Sequence, residues 1–226
     1  MVAEVTAPLF SVFGLPVTST VTTMWAIMLV LVVLAWVARR GLALVPTGRY
    51  QAFVDLAAGS IIGMTDAALG REKARQYLPF LGTLFVFILA ANYSGFIPGA
   101  GVVAGFHPPS SDLSFTAGLA VIVFFATHWA GLREHGLGYL KHFVRPLVFM
   151  LPLNIIEEFV RPLSLALRLY GNIYGEETVV ATLLGIIPLA FPALIQSLGL
   201  IFGFVQAMIF TVLASVYIAG AVGEGH

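Results

Sequence analysis

No cysteine occurs among the 226 residues of this chain, which removes disulfides, thiolate metal sites and cysteine nucleophiles together. Charge is almost as scarce: 10% of the residues are Asp, Glu, Lys or Arg, against about a quarter in an ordinary soluble domain. The 11 basic and 11 acidic side chains cancel, so there is no basic surplus with which to hold nucleic acid. No GxxxxGK[ST] loop is present to cradle a nucleotide, and neither HExxH nor HxxxH spacing is present to hold a metal. The expectation is therefore a chain without cofactor or metal that binds no nucleotide itself.

What the chain has instead is apolar surface. Hydrophobic residues make up 59% of it and the mean hydropathy is +0.98. So little polar surface cannot keep a packed globule in water, and the lipid bilayer becomes the expected solvent. A helix needs about 20 apolar residues to cross a ~30 Å hydrocarbon core. Charge-free runs of that size predict spans over 17–38, 78–97 and 113–132. Two longer helical patterns follow over 153–187 and 191–221, separated near Pro188 and Pro192. At 1.5 Å per residue the first would reach about 52 Å, so this pair is expected to tilt as a hairpin or to protrude. Pro162 inside it removes a backbone donor and favours a bend. Between the first two spans, Phe53, Leu56, Ala57, Ser60, Ile61 and Met64 recur near helical period over 51–69, which reads as an amphipathic surface helix. The fold expected is an all-α membrane protein, one domain over 1–226, with five membrane-embedded helices and one surface helix.

The run at 17–38 reads as a span and not a cleaved leader. Glu4 is the only charge before Arg39, so a positive leading region is missing, and the uncharged run is too long for a signal core. Lys and Arg stay on the cytoplasmic side. Arg39, Arg40, Arg49, Arg71, Lys73 and Arg75 fall between spans one and two, and Arg133, Lys141 and Arg145 between spans three and four. None falls in 1–38, 98–112 or 188–190. This asymmetry predicts an outside N-terminus and a cytoplasmic C-terminus.

The most informative residue is Arg168, flanked by Leu163, Leu165, Leu167 and Leu169 near the middle of the fourth membrane helix. An arginine at that depth costs from about 2.5 to more than 10 kcal/mol unless it faces protein or an aqueous cavity. A structural ion pair is the plain explanation, but the helical candidates are distant. Glu157 and Glu158 lie ten or more residues earlier and Glu176 and Glu177 eight or nine later, about 12–16 Å along the axis. The spacing therefore predicts a carboxylate supplied by a partner. Such an arginine cannot relay protons, because it stays charged, but it holds a carboxylate beside it in the ionised form.

Glu157, Arg161, Ser164, Arg168, Asn172 and Glu176 recur at intervals of three, four or eight and share roughly one helix face. Arg161 reads equally as a snorkelling headgroup charge. Gly171 and Gly175 form a small-xxx-small pair that permits close helix approach, a common packing device. Gln206 is an isolated polar residue in a charge-free run, and its distance from the turn puts it at the depth of Arg168. His107, His128, His135 and His142 read as interfacial or packing residues.

The segment from Pro162 through Arg168, Asn172 and Glu177, together with Val205-Gln206-Ala-Met-Ile-Phe, Ser215-Val-Tyr217 and Asn92-Tyr-Ser-Gly-Phe-Ile-Pro98-Gly, resembles subunit a of the membrane sector of F-type ATP synthases. The resemblance implies a stator in which two long helices lie along a rotating ring of c subunits, with peripheral-stalk b-type subunits as further partners. It implies two offset half-channels, with Arg168 as the essential arginine facing a ring carboxylate. By position, Asn172 and Gln206 match polar residues near that arginine, Glu177 a half-channel acid and Tyr217 a polar position of the last helix. Glu176 or Glu177 would serve the outer route, and Ser164 and Glu157 the inner one. Some relatives carry a titratable side chain where this chain has Gly199, and water is expected to fill that space. The transported ion is H⁺, with Na⁺ left open because the selecting ligands would sit on the ring; the location implied is a bacterial cytoplasmic membrane. The alternative is a self-contained secondary transporter with an intramembrane arginine site, but no internal repeat supports it. An intramembrane hydrolase would need a nucleophile and base at suitable spacing, and none appears.

Overall fold

The structure, a computed structural model, describes residues 10–12, 15–41, 49–97, 107–136, 138–139, 151–185 and 190–223. Most of the 98–112 connection, the Pro188 turn, Lys141, His142, Arg145 and the last three residues lie outside these, as do the side chains of Phe53, Leu56 and Ala57.

The described residues form six α-helices and one short hairpin: β1 (Phe10–Val12), β2 (Leu15–Val17), α1 (Ser19–Gly41), α2 (Arg49–Leu69), α3 (Arg71–Tyr93), α4 (Leu113–His135), α5 (Leu151–Leu184) and α6 (Ala190–Val222). Apart from this hairpin of three-residue strands, the fold is helical as expected. Phe10 pairs with Val17 and Ser11 with Pro16, so Val17 ends a strand and does not start the first helix. Pro16 explains the shift, since its ring disfavours helical geometry in the residue before it and it offers no N–H. Helix α1 then starts where the Thr18 carbonyl accepts the N–H groups of Val21 and Thr22.

Helix boundaries follow local chemistry. Gly70, at φ 75°, ends α2 and starts α3, its N–H bonding Asp66 O and its carbonyl accepting Ala74 N–H, both at 2.9 Å. Glycine occupies that positive φ without steric cost. Helix α3 thus begins at Arg71 and not at 78, because charges that cannot enter hydrocarbon are tolerated in a helix turn at headgroup level. Asp112 caps α4 by accepting Ser114 N–H at 2.8 Å, and Gly136, at φ 57°, closes its far end.

Four helical stretches among the described residues are long and apolar enough to cross a membrane: Ser19–Arg40, Arg71–Phe96, Leu113–His135 and Leu194–Val222. The sequence predicts five. Helix α5 falls short on composition, because Glu157, Glu158, Arg161, Arg168, Glu176 and Glu177 are spread along its 34 residues. Its length is ample at about 51 Å, and α6 is nearly as long.

The core is a spine where α3, α4, α5 and α6 meet. Leu81 and Ile88 of α3, Val123 of α4, Leu165 and Leu169 of α5, and Phe210 and Ile218 of α6 are all essentially inaccessible. Alanines at 91, 166, 207 and 214 let the helices approach closely. Helix α2 packs on α3 and α6 through Ile61 and Thr65, while Ser60, expected on the apolar face, is exposed. At one end of the bundle Lys73 donates to Val222 O at 2.5 Å and pairs with Glu134 at 3.1 Å, so a cation sits at the negative end of α6.

Candidate functional site

Helix α5 is two-faced. Leu165, Ala166, Leu169, Ile173 and Val180 turn into the bundle, while Leu163, Leu167, Arg168, Gly171 and Asn172 lie on the open side. Among the described residues Arg168 makes no ion pair or hydrogen bond; the ion pairs join Lys73 to Glu134, His128 to Glu158, and Arg161 to both Glu157 and Glu158. A Cβ added at Gly171 or Gly175 would meet nothing within 4 Å, so the small-residue pair packs against no helix among the described residues. The open face continues on α6 with Ile201, Phe202 and Val216 exposed. An arginine thus stands on an apolar, uncovered surface.

One turn from Arg168, Asn172 Nδ2 donates to Gln206 Oε1 at 2.6 Å. Gln206 is buried, so α5 and α6 are tied by a polar contact at the depth of the arginine. Intramembrane hydrogen bonds of this kind contribute about 0.6 kcal/mol on average and up to about 1.7. A double-mutant cycle with Asn172→Leu and Gln206→Leu, read as membrane-unfolding free energy, is expected to return a coupling in that range.

Towards the C-terminal end of α5, the two acids occupy different surroundings. Glu176 lies against α6: a Cβ at Gly199 would collide with its carboxylate. The space expected to hold water is therefore filled by Glu176, which can lie there because residue 199 has no side chain. Glu177 lies near the side chain of Ser111, in the turn preceding α4, whose hydroxyl donates to Pro108 O at 2.9 Å. Both acids line a cavity of about 60 Å³ with Asn92, Pro108 and Gln196. That is room for a few waters. Asn92 is a residue that spacing did not single out. Its Nδ2 donates to Gly203 O at 2.9 Å, while its buried Oδ1 has no partner among the described residues. Only the fold brings α3 and α6 together here, through Gly203, whose missing side chain lets Asn92 and Tyr93 approach.

At the other end of α5, Arg161 is a paired charge and not a free snorkelling one. It donates to Glu157 Oε1 at 2.6 Å and Glu158 Oε1 at 3.2 Å, and lies over the Tyr217 ring at 5.6 Å. Tyr217 is within electrostatic reach of both Arg161 and Arg168. Ser164, half-buried, lies between these arginines along the helix. His128 is more than a packing residue, since its Nε2 faces Glu158 Oε2 at 3.9 Å. Tyr139, just beyond α4, crosses His128 edge-on and rests on Gly131, where any side chain would strike the ring. Burial, with Glu158 nearby, pushes the Tyr139 hydroxyl up to about 12, so it keeps its proton at physiological pH.

Among the described residues the arrangement contains an unpaired fixed cation at mid-helix, an acid pair lining a cavity towards one end of α5 and a charged cluster towards the other. Comparison with known proteins agrees with the resemblance read from the sequence. Residues 21–219 match the family described as ATP synthase A chain. The chain is 42% identical over 219 residues to ATP synthase subunit a of Moorella thermoacetica, covering 96% of each chain. It is 42% identical over 210 residues to ATP synthase subunit a 1 of Syntrophotalea carbinolica, covering 91% of this chain and 86% of that one. To ATP synthase subunit a 2 of a Bradyrhizobium species it is 41% identical over 217 residues, covering 96% and 94%. With a family match spanning most of its length and relatives of this similarity, the chain belongs to the ATP synthase subunit a family.

Proposed function

We propose that this chain is the ion-translocating stator subunit of a rotary F-type ATP synthase, set in a bacterial cytoplasmic membrane. In this reading its N-terminus is outside and its C-terminus cytoplasmic, and α5 and α6 are the fourth and fifth of five membrane helices, tilted as a hairpin. The open face of α5 and α6 meets a ring of c subunits, and b-type subunits of the peripheral stalk complete the stator. The observation that carries this reading is Arg168, a charge on an apolar face with no carboxylate partner among the described residues. A charge so placed in lipid needs an opposite charge from outside the chain. Gly171 and Gly175, with open space above them, leave room for a ring helix to approach.

The mechanism follows from the electrostatics. Arg168 holds a passing ring carboxylate ionised and so keeps it from carrying a proton straight across. A proton from the outer half-channel, through the cavity at Glu176, Glu177 and Asn92, neutralises a ring acid. The neutral acid can then enter lipid, where its charged form would be costly. After rotation it releases the proton to the inner half-channel, for which Ser164, Glu157 and Tyr217 are the polar residues at hand. Asn172 and Gln206 stiffen the helix pair beside the arginine. The ion is H⁺, with Na⁺ selection depending on ring ligands.

Purification separates this reading from a self-contained transporter. Mild detergent extraction of a tagged chain is expected to bring down an oligomeric ring of small subunits. Substrate uptake by liposomes holding the chain alone, with no such ring recovered, would refute the proposal.

A further inference from the structure

The inner cluster holds a histidine that the mechanism above does not use. His128 Nδ1 lies 2.9 Å from the Phe124 carbonyl, which can only accept, so Nδ1 carries a hydrogen. Its Nε2 then points at Glu158 Oε2, 3.9 Å away. At that separation the two groups face each other but are too far apart for a direct hydrogen bond. Glu158 is mostly buried and is also held by Arg161 at 3.2 Å. Beside the pair is a cavity of about 10 Å³, walled mostly by apolar groups such as Phe124 and Leu165, with Thr127, His128, Glu158, Arg161 and Tyr217 also in its lining. This volume is at the lower edge of what one water occupies. The Thr127 hydroxyl is buried and has no hydrogen-bond partner among the described residues. Thr127, His128 and Glu158 together supply the number of polar partners a buried water requires.

We propose that His128 and Glu158, bridged by one water held by Thr127, form a proton-exchange station on the inner half-channel. The inference rests on the proton-translocating reading and adds residues to it. A proton arriving on Glu158 Oε2 passes to the water, while that water gives one of its own protons to His128 Nε2, leaving a carboxylate and an imidazolium. The imidazolium then loses its Nε2 proton to solvent at the end of α4 that carries Arg133, and the neutral ring is restored. Only protons move, and each step reverses for transport the other way. Among the described residues, charged and titratable groups beside the ring have a place in this scheme. From α5, Arg161 balances Glu158; from beyond α4, Tyr139 covers the ring edge; from α6, Tyr217 closes the cavity floor. Glu157 pairs with Arg161 and is more exposed, which makes Glu158 the better placed acid.

The test uses membrane vesicles carrying the whole ATP synthase. Passive proton conductance is followed after the soluble sector is stripped, with pH varied on the face bearing the Arg133 loop. His128→Ala is expected to lower conductance at least about tenfold, within the usual contribution of a positioned acid–base group. Added imidazole is expected to restore it, whereas an equal concentration of a non-titrating organic cation is not. Glu158→Gln, where it assembles, is expected to lower conductance similarly and to abolish the imidazole response. Conductance and pH profile unchanged in His128→Ala would overturn the station, as would rescue by the non-titrating cation. Arg168→Ala vesicles run in parallel distinguish the two levels: pumping lost there with His128→Ala unaffected defeats the station alone, whereas pumping intact there defeats the underlying reading as well.

Discussion

Replacing both Glu176 and Glu177 by glutamine is expected to cut ATP-driven proton pumping by about 100-fold or more with the complex still assembled, the loss typical of removing positioned proton-transfer groups. Glutamine keeps the volume and much of the hydrogen bonding of each site while removing exchangeable carboxyl protons. The Ser111 contact to residue 177 and the packing of residue 176 on Gly199 should therefore survive, which separates a transport defect from misfolding. The single variants show how the acids cooperate. If the two act in series, the double variant is no worse than the more damaging single one; if they act in parallel, each single loss is small and the double loss large. The geometry favours Glu177 as the more damaging single change. Glu176 is laid against the α6 backbone at Gly199, whereas Glu177 lines the same cavity on the side of Ser111 and the turn before α4. ATP-dependent quenching of a pH-sensitive dye in inverted vesicles reads all three variants.

The second large effect is at Arg168. Arg168→Ala is expected to abolish ATP-driven acidification while leaving passive proton leak, after the soluble sector is stripped, equal to or above that of the parent. A unit charge about 4 Å from a carboxylate near a protein surface is worth about 4 kcal/mol, or about a thousandfold in the balance between its ionised and neutral forms. Without it a ring acid can pass the stator protonated, so the two half-channels communicate without rotation. Arg168→Lys is expected to fail as well, because a compact ammonium that loses its proton more readily does not replace a guanidinium at a partly dry interface. Pumping that survived either change would return Arg168 to a structural role.

How much of this was legible in the sequence depends on the range of the interaction. A charge-free run such as 113–132 marks a helix because hydrocarbon admits nothing else, and the structure has Leu113–His135 there. The isolation of Arg168 is also local. Helical rise turns eight or ten residues into a distance no ion pair spans, and Arg168 has no ion pair among the described residues. The pairing of Arg161 with Glu157 and Glu158 sits at i−4 and i−3, within reach of the same arithmetic, although the snorkelling alternative obscured it.

Contacts that join distant helices were not legible. His128 meets Glu158 only because α4 packs on α5, and nothing in the spacing of the histidines marks it. Glu176 fills the space over Gly199 because α5 and α6 close to a particular separation, which residue identities alone do not specify. Asn92 appeared in a motif, but its buried, half-satisfied amide depends on Gly203 of α6. The N-terminal hairpin was missed for another reason: three-residue strands are too short to show a period of two.

The claim on which the account turns is that the open face of α5 around Arg168 rubs against a moving ring. The chain has no cysteine of its own, so disulfide trapping there is free of background. Cysteine is placed at Gly171, exposed with open space above it, or as a control at Leu169, which is fully buried. A second cysteine is placed on a ring helix at the depth of its carboxylate. The account predicts that oxidation links residue 171 to the ring, since Cα atoms within about 7 Å can be bridged, that pumping then stops, and that reduction restores it. A link from residue 169, or a link from residue 171 that leaves pumping running, would contradict it.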